Sequence, residues 1–268
     1  MPVTNLAILS QVPAETIDWL LEPDNPAVAV LARRALLGES DDAAAAALWA
    51  RRNEYPPVAA ILDAQLDDGS WMAPSQDYRK YQGSLWQVHL LGELWASADD
   101  PRVRAAADYA FSRQLPDGSW SASNMRPAGS IACLTSNVAR ALARLGWARD
   151  ERVVAALAGL VSLWRELGII DCRWGLESQL NGYCHMLTVK ELLFLGEMPR
   201  DVWPEGAEAL RDAGPDHRVG SGTEPQEEGG RHGDAAAIQV GQRSQRGQGG
   251  PPSVSTVVSN DIESEPSG

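Results

Sequence analysis

Three cysteines and one histidine have the residue types and the placement of a metal site. Cys133 and Cys184 stand near the first residues of two apolar segments, His185 follows directly, and Cys172 lies in the loop before them. Thiolate and imidazole are groups that Zn²⁺ prefers, and a helix N-terminus favours the thiolate form of cysteine. The pattern predicts a zinc site, with Asp171 as a substitute ligand.

Two other interpretations of these residues stay open. Cys133 and Cys184 could be small buried residues, with His185 as a capping or pocket side chain, since free cysteine often behaves as a small hydrophobe. A reactive thiol is the remaining possibility. Neighbouring residues point about 100° apart on a helix, so Cys184 and His185 could share an ion only in an irregular first turn.

A second set of side chains could bind an apolar ligand. It contains four aromatic residues and one histidine: Tyr81, Trp86, His89, Trp95 and Tyr183. Aromatic faces can line an apolar pocket and stabilise a carbocation through cation–π attraction. Core packing is the competing explanation for the aromatic spacing, and a hydrogen-bonded core histidine is the competing explanation for His89. The sequence identifies no catalytic residue.

Both sets depend on a repeat that must position them. Gln65–Trp71 and Gln114–Trp120 share the pattern Gln, three residues, Gly, one residue, Trp, and they start 49 residues apart. A fixed period of this size is typical of repeat architectures, and each copy lies between two helical segments. The repeated phrase itself is predicted to be scaffold. Its Trp needs an acceptor for the indole N–H, and its Gln can bridge to a neighbouring helix end.

The segments after each phrase are apolar nearly all round, which predicts an inner layer of helices. They begin near Ser84, Cys133 and Cys184, and the 49-residue spacing of Ser84 and Cys133 predicts that these two residues are equivalent. Inner helices of such a repeat begin at one end of the molecule, so the cysteines should gather at one rim. Three further helices are predicted at about 15–22, 26–37 and 41–53, before the first repeat.

Composition divides the chain into three parts. Residues 1–55 hold the N-terminal helices, residues 56–212 hold the repeats, and residues 213–268 form a tail. Residues 214–268 lack Leu, Phe, Tyr and Trp and carry 11 of the 24 glycines, so the tail is predicted to be disordered. It could be a natural tail or the product of a frameshift.

The repeated phrase resembles the QW motif of squalene and oxidosqualene cyclases. More broadly, the span from Pro57 to Pro199 is similar to the α/α-toroid superfamily, which includes those cyclases and the β subunits of protein prenyltransferases. The resemblance implies an all-α fold, and the three inner helices imply a partial α/α toroid. For the prenyltransferase zinc site, the resemblance extends to Cys184 and His185 only. The Asp-x-Asp-Asp acid motif of class II cyclases does not occur in the sequence.

The resemblance implies a cyclase-like or prenyltransferase-like protein that binds an isoprenoid or lipid-like small molecule on its concave apolar face. The alternatives are a non-catalytic helical scaffold for a protein partner and a truncated, inactive fragment. A net charge of −13 argues against nucleic acid and anionic membranes as partners. No apolar run is long enough to span a bilayer, and the three cysteines suit a reducing cytoplasm. Exposed repeat ends would favour self-association.

Overall fold

The structure, a computed structural model, describes residues 12–39, 42–122, 131–167 and 185–216. Within these ranges every regular element is helical, which confirms the predicted all-α class. The last helix ends at Asp216, so residues 213–216 are helical although the composition assigned them to the tail. Residues 217–268, the remainder of the predicted tail, lie outside the described ranges.

The described ranges contain ten α-helices, which correspond to the predicted segments. They are α1 Ala14–Leu20, α2 Pro26–Ala32, α3 Ala43–Ala50, α4 Pro56–Asp63, α5 Ser84–Glu93, α6 Pro101–Ser112, α7 Ala132–Leu142, α8 Glu151–Leu167, α9 His185–Glu197 and α10 Ala207–Asp216. Wider π-helical turns continue α2 over Arg33–Leu37 and α7 over Ala143–Trp147. Helices α1 to α3 are those predicted before the first repeat.

Helices α4 to α10 form two layers of hairpins. The inner helices α5, α7 and α9 pack side by side, with α7 in the middle, and α6, α8 and α10 pack against them as outer helices. The layers meet in one apolar core. Gly92 allows the closest approach of two inner helices, because a Cβ there would lie 2.5 Å from the Cα and Cβ of Ala141 on α7. This arrangement is a partial α/α toroid.

The outer helices begin where the sequence predicts them. The carboxylate of Asp100 accepts a hydrogen bond from the backbone N–H of Arg102, and Pro101 occupies the first helical position, where no N–H is needed. Asp150 accepts from the backbone N–H of Arg152 in the same way at the start of α8. Each aspartate also binds the guanidinium of its arginine, so α6 and α8 are fixed at their starts by the same kind of pair.

The tryptophans of the two repeated phrases have the structural role that the sequence predicts. Trp71 Nε1 donates to the carbonyl of Ile61 at 2.7 Å, and Trp120 Nε1 donates to the carbonyl of Ala110 at 2.8 Å. Both acceptors lie ten residues earlier, in the outer helix that precedes the turn. Trp120 is fully buried in the core, so its indole N–H is satisfied without water.

The glutamines of the two phrases connect neighbouring repeats. Gln114 Nε2 donates to the carbonyl of Gly118 in its own turn at 2.8 Å and to that of Arg152 in the next outer helix at 2.9 Å. Gln65 does the same with Gly69 and Arg102, at 3.0 Å each. Each glutamine therefore closes its own turn and binds the first turn of the following outer helix, as the predicted bridge requires.

The predicted equivalence of Ser84 and Cys133 is wrong. Ser84 Oγ accepts from the backbone N–H of Trp71 at 3.1 Å, and the group that accepts from the N–H of Trp120 is Thr135 Oγ1, at 3.0 Å. The sequence separations of these pairs are 13 and 15 residues, so the second acceptor lies two residues further along the chain than the first. Ser84 is therefore equivalent to Thr135, and Cys133 precedes the matching position.

Replacing Gln114 by alanine should lower the free energy of unfolding by about 1–2 kcal/mol, because two carbonyls each lose a hydrogen-bond donor. Urea denaturation followed by circular dichroism measures the change. Gln82→Ala is the matched control, since Gln82 is exposed and its loss should change the free energy by less than about 0.5 kcal/mol. Equal effects of the two variants would contradict the bridging role.

Candidate functional site

A contiguous group of rings lies along the first inner helix. The ring centroids of Tyr81 and Trp86 are 5.2 Å apart, and those of Trp86 and His89 are 5.6 Å apart, both with edge-to-face geometry. Tyr78 contacts the same indole at 6.3 Å. Trp86 and His89 lie one turn apart on α5, whereas Tyr78 and Tyr81 come from the loop before it. Three of the predicted ligand-binding residues, Tyr81, Trp86 and His89, are therefore brought together.

Tyr81 is held in an unusual backbone conformation. Its φ is 64°, in the left-handed region that non-glycine residues rarely occupy, and its side chain is 60 % exposed. Gln87 Nε2 donates to the carbonyl of Tyr81 at 2.8 Å, which fixes this turn against α5. The strained turn thus presents an aromatic ring to solvent beside Trp86.

His89 is a neutral imidazole at pH 7. Burial lowers its pKa below 6.5 despite the opposing effects of the nearby Glu93 carboxylate and the main chain of Asn137. Its Nδ1 lies 3.9 Å from Glu93 Oε1, too far for a hydrogen bond. His89 Nδ1 and Trp86 Nε1 are buried and have no hydrogen-bond partner within the described part of the chain. Two polar atoms of this cluster therefore have no partner among the described residues.

An ion network that the sequence analysis missed joins all three inner helices. Glu93 of α5 accepts from Arg140 of α7 at 2.5 Å and from Arg144 at 3.0 Å. Arg144 also donates to Glu197 of α9 at 2.7 Å. Both guanidiniums are largely buried, with 12 % and 13 % of their side chains exposed. The network places two arginines and two glutamates at the C-terminal ends of the inner helices.

Glu191 of α9 was also missed. It is 2 % exposed, and neither carboxylate oxygen accepts a hydrogen bond from any described residue. Burial raises its pKa to about 8, so it is an uncharged acid at pH 7. It shares the buried side of α9 with Leu187, Phe194 and Leu195. In the sequence, Glu191 is the one acidic residue at helical spacing from all three of these apolar residues. That pattern could have identified it as a buried acid.

Trp95, another of the predicted aromatic residues, is not part of the cluster. Trp95 follows the C-terminal end of α5, nine residues from Trp86, which is about 14 Å along a helix. Its ring contacts Trp49 and the guanidinium of Arg144 instead. Tyr183 lies outside the described ranges.

The predicted zinc site remains a prediction. Cys133 lies in the first turn of α7 with a partly exposed side chain, and it makes no disulfide. His185 begins α9, but its side chain is not among those described, and Cys172 and Cys184, like Asp171, fall in the gap between 167 and 185. No three His, Cys, Asp or Glu side chains of the described residues gather into a metal-binding group.

Comparison with known proteins gives no relative. No family model, no curated protein and no solved structure matches the chain. No helix within the described ranges combines the length and apolar composition needed to cross a bilayer. The ring cluster on α5 offers aromatic surface and a neutral imidazole side by side.

Proposed function

We propose that this protein binds an isoprenoid or similar lipid-like small molecule on the inner face of the helical arc. The observation that carries the proposal is the contiguous ring cluster of Tyr78, Tyr81, Trp86 and His89. Aromatic side chains supply large apolar contact areas, and their faces attract the positive charge of a carbocation. The resemblance of the repeated phrase to the QW motif of terpenoid cyclases supports the same class of ligand.

The polar features of the cluster are compatible with an apolar ligand. His89 is neutral, so an apolar molecule beside it does not desolvate a charge. Glu93, whose carboxylate lies 3.9 Å from His89 Nδ1, is neutralised by Arg140 and Arg144. The exposed ring of Tyr81 adds apolar surface at the edge of the cluster. The ligand therefore lies against Trp86, with Tyr81 at its outer end.

The test is to incubate the full chain with squalene and with farnesyl diphosphate and to measure binding and products by mass spectrometry. Trp86→Leu should weaken binding at least about tenfold, because it removes the central ring and about 1.4 kcal/mol of contact. Trp19→Leu is the control, since Trp19 is 65 % exposed on α1. Absence of binding by the unmodified chain, or equal binding by Trp86→Leu, would contradict the proposal.

A second candidate is a helical scaffold that binds a protein partner. Val189 and Leu193 lie one turn apart on α9, and they are 55 % and 45 % exposed. Two large apolar residues exposed together on one helix face suit a protein contact. The double variant Val189→Ser, Leu193→Ser should remove any concentration-dependent association seen in sedimentation. Association without isoprenoid binding would favour the scaffold.

A further inference from the structure

A separate cavity lies at the C-terminal ends of the inner helices α5 and α7. Its volume is about 270 Å³, and its lining includes Trp49, Arg52, Trp95, Asp99, Arg144 and Gly146. It lies at the opposite end of α5 from the ring cluster at Trp86. The reasoning for this cavity does not depend on the proposed function.

One wall of the cavity is a tryptophan in a strained conformation. Trp95 has φ 56°, whereas the corresponding residue after α7 is Gly146, with φ 115°. Glycine is the ordinary residue at such a helix end, because a side chain in the left-handed region costs on the order of 1 kcal/mol. Strained backbone of this kind persists where surrounding contacts fix it, and it concentrates at ligand sites. Here the strain places an indole in the cavity wall.

The contacts of Trp95 fix its orientation. Its ring centroid lies 5.9 Å from that of Trp49, with the planes tilted by 57°. The guanidinium of Arg144 lies 4.8 Å from the Trp95 ring, and that of Arg52 lies 4.6 Å from the Trp49 ring. Reciprocal hydrogen bonds between Asn53 and Ser97, at 3.1 and 2.6 Å, hold the adjoining wall. Two indoles and two guanidiniums thus line the cavity in fixed orientations.

The two arginines retain unused donors. Arg52 donates through Nε to the carbonyl of Trp95 at 2.8 Å and through Nη1 to that of Trp49 at 2.7 Å. Arg144 uses Nε and Nη1 for Glu197 and Glu93. Neither Nη2 makes a hydrogen bond to any residue that the structure describes. Two guanidinium groups from different helices therefore offer donors at one cavity, beside aromatic surface.

We infer that this cavity binds a small, flat organic anion with a single negative charge, such as an aromatic carboxylate. The indoles of Trp49 and Trp95 contact its flat body, and the Nη2 groups of Arg52 and Arg144 donate to its carboxylate. Asp99 lines the same cavity, and its carboxylate accepts from Ser97 Oγ at 3.0 Å. That fixed negative charge repels a phosphate dianion more strongly than a singly charged carboxylate.

Isothermal titration calorimetry of the full chain at low ionic strength tests this inference, with indole-3-carboxylate as the probe. We expect saturable binding with a Kd below about 1 mM. The neutral analogue, indole-3-carboxamide, should bind at least about tenfold more weakly because it cannot form the charge-assisted hydrogen bonds. No saturable binding of the carboxylate, or equal binding of the carboxamide, would overturn the inference.

Trp95→Gly should weaken binding of the carboxylate at least about tenfold, while far-UV circular dichroism remains that of the unmodified chain. The fold should tolerate glycine, since Gly146 occupies the corresponding position after α7. Trp95→Asn, which also tolerates the left-handed conformation, should give the same loss. Trp19→Leu is the control: it too removes a tryptophan, but Trp19 is 65 % exposed on α1 and does not line the cavity, so binding should be unchanged. Undiminished binding by both Trp95 variants would refute the site.

Discussion

Glu191→Gln should raise the free energy of unfolding at pH 8 by about 3–5 kcal/mol and change it little at pH 4. The pKa of Glu191 is about 8 in the folded protein, well above its ordinary 4.5. Below pH 4.5 the carboxyl group is protonated in both the folded and the unfolded chain. As the pH rises toward 8, the unfolded chain loses this proton while the folded chain retains it, so stability falls. The glutamine amide does not ionise in this pH range, so Glu191→Gln removes the pH dependence that Glu191 contributes.

Urea denaturation at pH 5, 6, 7 and 8 measures the expected difference. The gain from Glu191→Gln should grow steadily across this series, at no more than about 1.4 kcal/mol per pH unit. Glu208→Gln is the control, since Glu208 is exposed on α10 and its replacement should leave the pH dependence unchanged. If the free energies of unfolding of the two variants and the unmodified chain have the same pH dependence, the pKa of Glu191 is not raised by burial.

Arg140→Met should lower the free energy of unfolding by about 2–4 kcal/mol, because it removes one cation from a largely buried network. Arg140 pairs with Glu93 at 2.5 Å and lies 3.4 Å from Glu197. Methionine keeps much of the apolar stem, so the measured loss reports mainly on the charge. Both carboxylates would then depend on Arg144 alone.

The matched control for this variant is Arg149→Met. Arg149 pairs with Asp201, but both side chains are more than 60 % exposed. Water screens such a pair, so its removal should change the free energy of unfolding by less than about 1 kcal/mol. Thermal and urea denaturation of Arg140→Met and Arg149→Met measure the two losses of unfolding free energy. Comparable losses would mean that the inner network stabilises the arc no more than a surface pair does.

Much of the scaffold could be predicted because its signals are local. Gln114, the Asp-Gly turn and Trp120 lie within seven residues of one another, and each makes contacts that its own chemistry requires. The capping aspartates Asp100 and Asp150 are equally local. In both copies the phrase forms a turn between two helices.

The inner face could not be predicted in the same way, because it depends on how the inner helices align. Glu93 and Arg140 are 47 residues apart, and Arg144 and Glu197 are 53 apart, so no single period pairs them. Matching Ser84 with Cys133 shifts α7 by two residues from the true match, Thr135. Two residues correspond to about 200° of rotation on a helix, which reverses the side that faces the interior.

The close approach of Gly92 to Ala141 determines how a molecule can reach the inner face. The two backbones meet so closely that even a methyl group at Gly92 would collide with α7. A hydrocarbon chain is wider than this gap, so it cannot pass between α5 and α7. The exposed ring of Tyr81 stands beside the N-terminal end of α5, away from this contact. The contact at Gly92 thus makes the turn before α5, rather than the gap between the two helices, the expected entry point for the ligand proposed above.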